Sequence, residues 1–234
     1  TLPPGPIVVT RDGRANGPPL VQPVADGLSA GGATAVLDGG VAATPTTGVL
    51  VREHNAVGGV QISASHNPAE YNGLKLFAAE GRVLPAMLGE RVLENYRATT
   101  TSGCLSSSAV LTPLKNTTAK HSSLCQQIVD DDRIRSQAFR VVLDANHGAG
   151  AMLGRPLLEA LGCQVVVRGE NPDGQFDHPP EPTAENLAGV CQEISAEGAA
   201  IGFCQDPDAD RLAIIDENGR YLGEEYTLAI CVDH

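Results

Sequence analysis

Short β-rich runs alternate with stretches of helical spacing along almost the whole chain, and this alternation most narrows the folds open to it. Residues 7–10 are β-rich and run into the turn-like Arg11-Asp12-Gly13-Arg14. Leu20, Val21, Val24 and Leu28 then recur at helical spacing until Gly31-Gly32 stops the pattern, with Pro23 blurring where the helix begins. The same reading predicts strands over 34–37, 59–63 and 74–77 and helices over 46–54 and 85–97. Residues 98–118 break the rhythm with Thr and Ser, and have the composition of a linker. Beyond them Leu124, Ile128 and Val129 suggest a helix. Strands follow over 140–143, 164–167, 199–203 and 212–215, helices over 152–161 and 186–196, and a turn at Glu217-Asn218-Gly219. Such alternation predicts an α/β protein of two three-layer α/β/α domains with mixed, mostly parallel sheets, over residues 1–115 and 116–234.

Composition agrees with buried strands clothed by helices. Four Phe, four Tyr and no Trp leave the core to Val, Leu, Ile and Ala. The net charge of −12 is unevenly placed, since acids and bases balance up to residue 115 and the whole surplus of acid follows it. That surplus argues against nucleic acid or an anionic membrane as partner. No apolar run approaches the roughly 20 residues of a membrane span, and no secretory leader is visible. Cys104, Cys125, Cys163, Cys191, Cys204 and Cys231 form no C-x-x-C pair, which argues against zinc. They read as small hydrophobes in a reducing, cytoplasmic setting.

Asp206-Pro207-Asp208-Ala209-Asp210-Arg211 is the most informative local feature. Three carboxylates at i, i+2 and i+4 follow an apolar strand. In an extended stretch they face one side, and they repel there unless a cation neutralises them. A hard divalent ion with oxygen ligands, Mg²⁺ above all, is the natural solution. A calcium helix-loop-helix loop finds Glu217 at its twelfth position but Arg211 where Gly is required. A phosphatase that forms a phospho-aspartate remains open, although Asp210 stands where Thr or Val is usual. A metal serving an external phosphate is the third reading, and it requires a phosphate carrier elsewhere. Ser63-Ala64-Ser65-His66-Asn67-Pro68, followed by Tyr71-Asn72-Gly73-Leu74-Lys75, supplies a candidate. The segment lacks the glycines of a G-x-S-x-G hydrolase elbow, and by itself it reads as a turn capped by Ser65.

With Ser65 and Asp206 separated by 141 residues in this order, the chain resembles the α-D-phosphohexomutases. SASHNP with YNGLK is similar to that family's serine motif, and DPDADR to its metal motif D-G-D-x-D-R. The 141–150 strand and turn, the 171–178 loop, the 11–14 turn and Thr44-Pro45-Thr46 extend the resemblance along nearly the whole chain. Pro207 and Ala209 depart from the metal motif but keep all three carboxylates.

The resemblance implies a mutase that interconverts hexose 1- and 6-phosphates through a bound hexose 1,6-bisphosphate. Ser65 is then the phosphoserine, and its phosphate joins Asp206, Asp208 and Asp210 around Mg²⁺. Arg211 offsets charge on the transferring group. Lys75 serves the sugar hydroxyl proton or polarises the phosphate, His66 assists proton transfer or packs the loop, and Asn72 and Gly73 shape the turn. The family is similar to a four-domain protein of about twice this length. The chain is therefore expected to be an N-terminal fragment, lacking the sugar-recognising third domain, the phosphate-binding fourth domain and the family's N-terminal arginine loop. The competing readings are a non-enzymatic divalent-metal-binding module and the phospho-aspartate enzyme.

Overall fold

The computed structural model describes residues 3–98 and 108–233. Two five-stranded sheets are built by the same winding rule. In the first, β1 (Pro6–Arg11) pairs in parallel with both β2 (Ala35–Val41) and β3 (Gly58–Ile62). The antiparallel strand β4 (Leu74–Ala78) closes the β3 edge. Helix α1 (Pro18–Ala30) carries the chain from β1 to β2, and α2 (Thr44–Glu53) carries it back across β1 to β3. Right-handed crossovers in opposite directions put the two helices on opposite faces. Strand alternation serves both faces. Val8 packs with Leu50 and Val51 of α2, and its neighbour Val9 with Ala25 of α1. Pro23 lies inside α1 and does not delay its start, because Pro18 and Pro19 already supply the first positions where no N–H is needed.

Helix α3 (Ala86–Ala98) follows β4. Its apolar spacing is helical as predicted, yet Leu88, Val92 and Tyr96 all remain exposed. The stretch read as linker is structured in part, because β5 (Leu111–Pro113) adds in parallel to the outer edge of β2. Cys104 lies outside the described residues. Helix α4 (Ala119–Gln126) ends before Ile128 and Val129, which are exposed and do not extend it. A short α5 (Asp131–Gln137) follows, started by the Asp130 side chain accepting from the Arg133 N–H.

In the second sheet β6 (Arg140–Asp144) takes the place of β1, flanked in parallel by β7 (Gln164–Arg168) and β8 (Ile201–Gln205). The strands β9 (Leu212–Asp216) and β10 (Tyr221–Gly223) then add antiparallel. Helix α6 (Ala151–Ala160) brings Gly154 against Leu143, and α7 (Ala188–Ala196) covers the other face. There Val190 and Ile194 pack with Val142, Cys204 and Ile215. Among the described cysteines only Cys204 is buried, and Cys231 is exposed in α8 (Glu224–Asp233). No described helix is long and apolar enough to cross a membrane.

Both sheets therefore have their first strand inside, with the chain leaving to either side of it. Ligands in open α/β sheets bind at such switch points, beyond the carboxyl ends of the strands. Those ends carry residues 12–14 and 63–65 in the first sheet and 144–146 and 206–210 in the second, and the two sheets turn them toward each other.

Candidate active site

The serine loop leaves β3 at Ile62 and is shaped from within by a buried ion pair. Asp12 and Arg14 are both fully buried, with Arg14 Nε 3.0 Å from Asp12 Oδ2. Burial raises the Asp12 pKa, against the pull of hydrogen bonds from Arg14 and Ser63 and the Arg14 charge. The Arg14 guanidinium donates to the carbonyls of Ser65 (2.6 Å), Asn67 (2.7 Å), Pro68 (2.5 Å) and Tyr71 (3.3 Å). Ser63 Oγ donates to Asp12 (2.7 Å) and accepts from the Ser65 N–H (3.0 Å). Ser65 is held on both sides in a left-handed conformation, φ 52°, which costs an L-residue roughly 1–2 kcal/mol. Replacing Arg14 by Met should leave a buried carboxylate and four carbonyls without their cation. An unfolding free energy lower by about 3–5 kcal/mol is expected, read from urea denaturation.

The acidic loop between β8 and β9 converges by turning rather than by extension. Ala209 adopts φ 52° and its N–H bonds back to the Asp206 carbonyl at 2.9 Å. The extended geometry anticipated for Asp206, Asp208 and Asp210 is thus replaced by a tight turn, which brings i and i+4 closer than a strand does. Asp206 Oδ1 accepts the N–H groups of Asp210 (3.2 Å) and Arg211 (3.1 Å). One oxygen from each carboxylate lies within 4.8 Å of the others.

Asp206 and Asp208 are fully buried and Asp210 is partly exposed. Burial and the charges of Asp208 and Asp210 push the Asp206 pKa up to about 8. Burial works in the same direction on Asp208, but the Lys75 charge and hydrogen bonds from Lys75 and Thr44 hold it below the usual carboxylate range. Asp208 Oδ1 is buried with no hydrogen-bond partner among the described residues. An all-oxygen set with an orphaned buried oxygen, and a carboxyl that ionises only with difficulty beside its neighbours, fits a hard divalent cation.

The two loops meet. Ser65 Oγ donates to Asp206 Oδ2 at 3.0 Å, and His66 Nδ1 lies 3.3 Å from the same hydroxyl. Lys75 at the start of β4 reaches across to pair with Asp208 and, at 2.6 Å, with Asp210. Burial would lower the Lys75 pKa, but Asp208 and Asp210 reverse this and raise it, so the group stands as an ammonium. Arg211 turns away, its guanidinium 3.4 Å from Glu181 while its N–H serves Asp206. Asn72 and Gly73 stay in the turn, where Asn72 bonds Asn16 and caps the Gly73 N–H.

Thr44 is the member that residue types alone did not single out for the site. Its hydroxyl bonds Asp208 Oδ2 and its N–H donates to the Asp208 carbonyl at 2.8 Å, so α2 of the first sheet grips the acidic loop of the second. Only its place in Thr44-Pro45-Thr46 hinted at this.

The loop at 171–178 is pinned by a second pair, between part-buried His178 and buried Asp144. His178 Nε2 lies 2.7 Å from Asp144 Oδ2, and Nδ1 lies 2.9 Å from the Pro179 carbonyl. Two acceptors favour the doubly protonated ring. Burial acts to lower the His178 pKa, but Asp144, Pro179 and Asp177 outweigh it and the net direction is upward. A raised folded pKa stabilises fully below the unfolded value of about 6.5, and the contribution fades as pH rises through the folded value. Denaturation of wild type and His178→Gln from about pH 5.5 to about pH 9 should therefore show the largest gap at acid pH, narrowing upward.

Comparison with known proteins places the geometry in context. Residues 2–102 match the family description Phosphoglucomutase/phosphomannomutase, alpha/beta/alpha domain I, and residues 119–219 match alpha/beta/alpha domain II. A Thermococcus kodakarensis phosphoglucomutase/phosphomannomutase is 37% identical over 97% of this chain and 50% of its own length. A probable phosphoglucosamine mutase of Methanosarcina acetivorans is 34% identical over 95% of this chain and 50% of its own. The chain spans about half the length of the curated relatives it matches. A crystal structure from Thermus thermophilus superposes over 98% of this chain and 53% of that one with a TM-score of 0.84. Its 24% identity speaks to the fold alone.

Proposed function

Because the chain belongs to the phosphoglucomutase/phosphomannomutase family, we propose that residues 1–115 and 116–234 are the first two domains of a phosphohexomutase. Its substrate is a hexose monophosphate, and its intermediate a hexose 1,6-bisphosphate. The observation that carries this reading is the hydrogen bond from Ser65 Oγ to Asp206, which seats a hydroxyl against a carboxylate cluster. Neutral serine has no need of three carboxylates, whereas a phosphorylated one beside a divalent cation does. Asp206, Asp208 and Asp210 would hold Mg²⁺, which when bound supplies positive charge to a phosphoryl group on Ser65.

The chain's own residues do the rest. Phospho-Ser65 transfers its phosphoryl group to a sugar hydroxyl, with the O–P bond at Ser65 breaking as the new one forms. Ser65 Oγ is regenerated beside His66 Nδ1, which can hand it the proton lost by the sugar and take it back when the other phosphate returns. The Lys75 ammonium faces the same carboxylates and offers positive charge toward the transferring group. Arg211 does so only after leaving Glu181.

The remaining half of the enzyme, two further domains, recognises the sugar. Assay of the full-length protein on glucose, mannose and glucosamine 1-phosphates tests this directly. Conversion of at least one to its 6-phosphate supports the reading. Divalent-metal binding with no conversion of any would instead favour a binding module.

A further inference from the structure

We propose that Phe176, on the second-sheet side, is a positioning residue for Ser65, acting through Arg14. The inference rests on the mutase reading above. The Phe176 ring lies under the Arg14 guanidinium, 5.2 Å from centroid to Cζ. The in-plane N–H groups of that guanidinium grip the serine loop, including the Ser65 carbonyl itself at 2.6 Å. Its edge is committed to hydrogen bonds, so its face is left for an aromatic ring. The loop that carries Phe176 is held close by Gly174. A Cβ built at Gly174 would lie 2.7 Å from Arg14 Cα, and the residue has φ 72°, so only glycine lets this approach occur. The backbone is fixed in turn by the Gly174 N–H donating to the His147 carbonyl at 3.1 Å.

Sheet two therefore bears on the serine loop in two ways, once directly and once through Arg14. Asp206 meets the Ser65 hydroxyl, and Phe176 backs the cation that holds its carbonyl. A left-handed Ser65 stays aimed at the acidic loop only while Arg14 is seated. A shift of the loop by a fraction of an ångström reaches the reacting oxygen without touching any carboxylate. Phe176 acts on the Arg14 guanidinium, and its effect should be visible in alignment rather than in metal binding.

The test is the full-length enzyme with Phe176→Leu and Phe176→Tyr, followed by amide hydrogen exchange over 63–73, Mg²⁺ titration and steady-state kinetics. Phe176→Leu should speed exchange in 63–73 and lower kcat by roughly tenfold to a hundredfold, the scale of a small misplacement at a reacting group. KM and Mg²⁺ affinity should hold, and Phe176→Tyr, which keeps a ring face, should restore both exchange and kcat. Unchanged exchange in Phe176→Leu overturns the inference, and so does equal damage in Leu and Tyr. A wild-type enzyme without mutase activity but with faster exchange in Phe176→Leu would sink the functional reading and leave the positioning role standing.

Discussion

Asp208→Asn is expected to weaken Mg²⁺ binding by more than about a hundredfold and to silence sugar phosphate turnover. Loss of a mere supporting partner at a metal site costs about 10–100-fold, and Asp208 is a proposed ligand. The site amplifies the change. Asp208 is fully buried, its Oδ1 has no other partner among the described residues, and its Oδ2 serves Thr44 and Lys75. An amide at this position turns an NH₂ group toward a hydroxyl or an ammonium, or toward the cation. The metal-free protein should suffer less, because the Asp208 charge also helps raise Asp206, and its removal lets Asp206 ionise closer to the ordinary range. Calorimetric titration of Mg²⁺ alongside the mutase assay reads both effects. Asp210→Asn, on a partly exposed carboxylate, should do the same damage to a smaller degree.

Ser65→Ala should remove turnover almost completely while leaving the fold and most metal affinity in place. Loss of a nucleophilic hydroxyl commonly costs ~10⁴-fold or more in kcat. Mg²⁺ affinity should change by roughly tenfold, the lower end of the cost of losing a supporting partner, because Asp206 loses the Ser65 hydrogen bond but keeps those from the Asp210 and Arg211 N–H groups. Ala suits the left-handed backbone no worse than Ser, and the clamps on Ser65, from Ser63 to its N–H and from Arg14 to its carbonyl, do not involve its side chain. The two substitutions should thus separate. Asp208→Asn loses metal and activity together, and Ser65→Ala loses activity far more than metal.

Much of this arrangement is legible in the residues because local signals and tertiary packing agree. Val8 and Val9, on opposite faces of β1, pack into cores on either side of the sheet. The strand readings at 140–143, 164–167, 199–203 and 212–215 fall on β6, β7, β8 and β9 for the same reason. Elements that escaped are those without a local signal. The strand β5 is three residues long and exists by pairing with Val36–Asp38. The short β10 depends likewise on β9, and α5 has Ile134 as its one large apolar side chain. In α8, Tyr226, Leu228, Ile230 and Val232 alternate with the period of a strand, and all four are exposed. Burial escaped as well. Arg14 reads as one basic residue in a polar turn, yet four carbonyls, Asp12 and a ring from the other sheet enclose it. The carboxylates were legible as a cluster, but their convergence depends on the left-handed Ala209 and not on strand geometry.

The central claim is that Ser65 carries the phosphoryl group which the acidic loop helps to transfer. Full-length enzyme exchanged with hexose 1,6-bisphosphate bearing labelled phosphate, then digested and sequenced by mass spectrometry, tests it most directly. The label is expected on Ser65, to be lost on adding unlabelled hexose monophosphate, and to be absent in Ser65→Ala. Label on Asp206 or Asp208, or an active enzyme with Ser65 unmodified throughout, would contradict it.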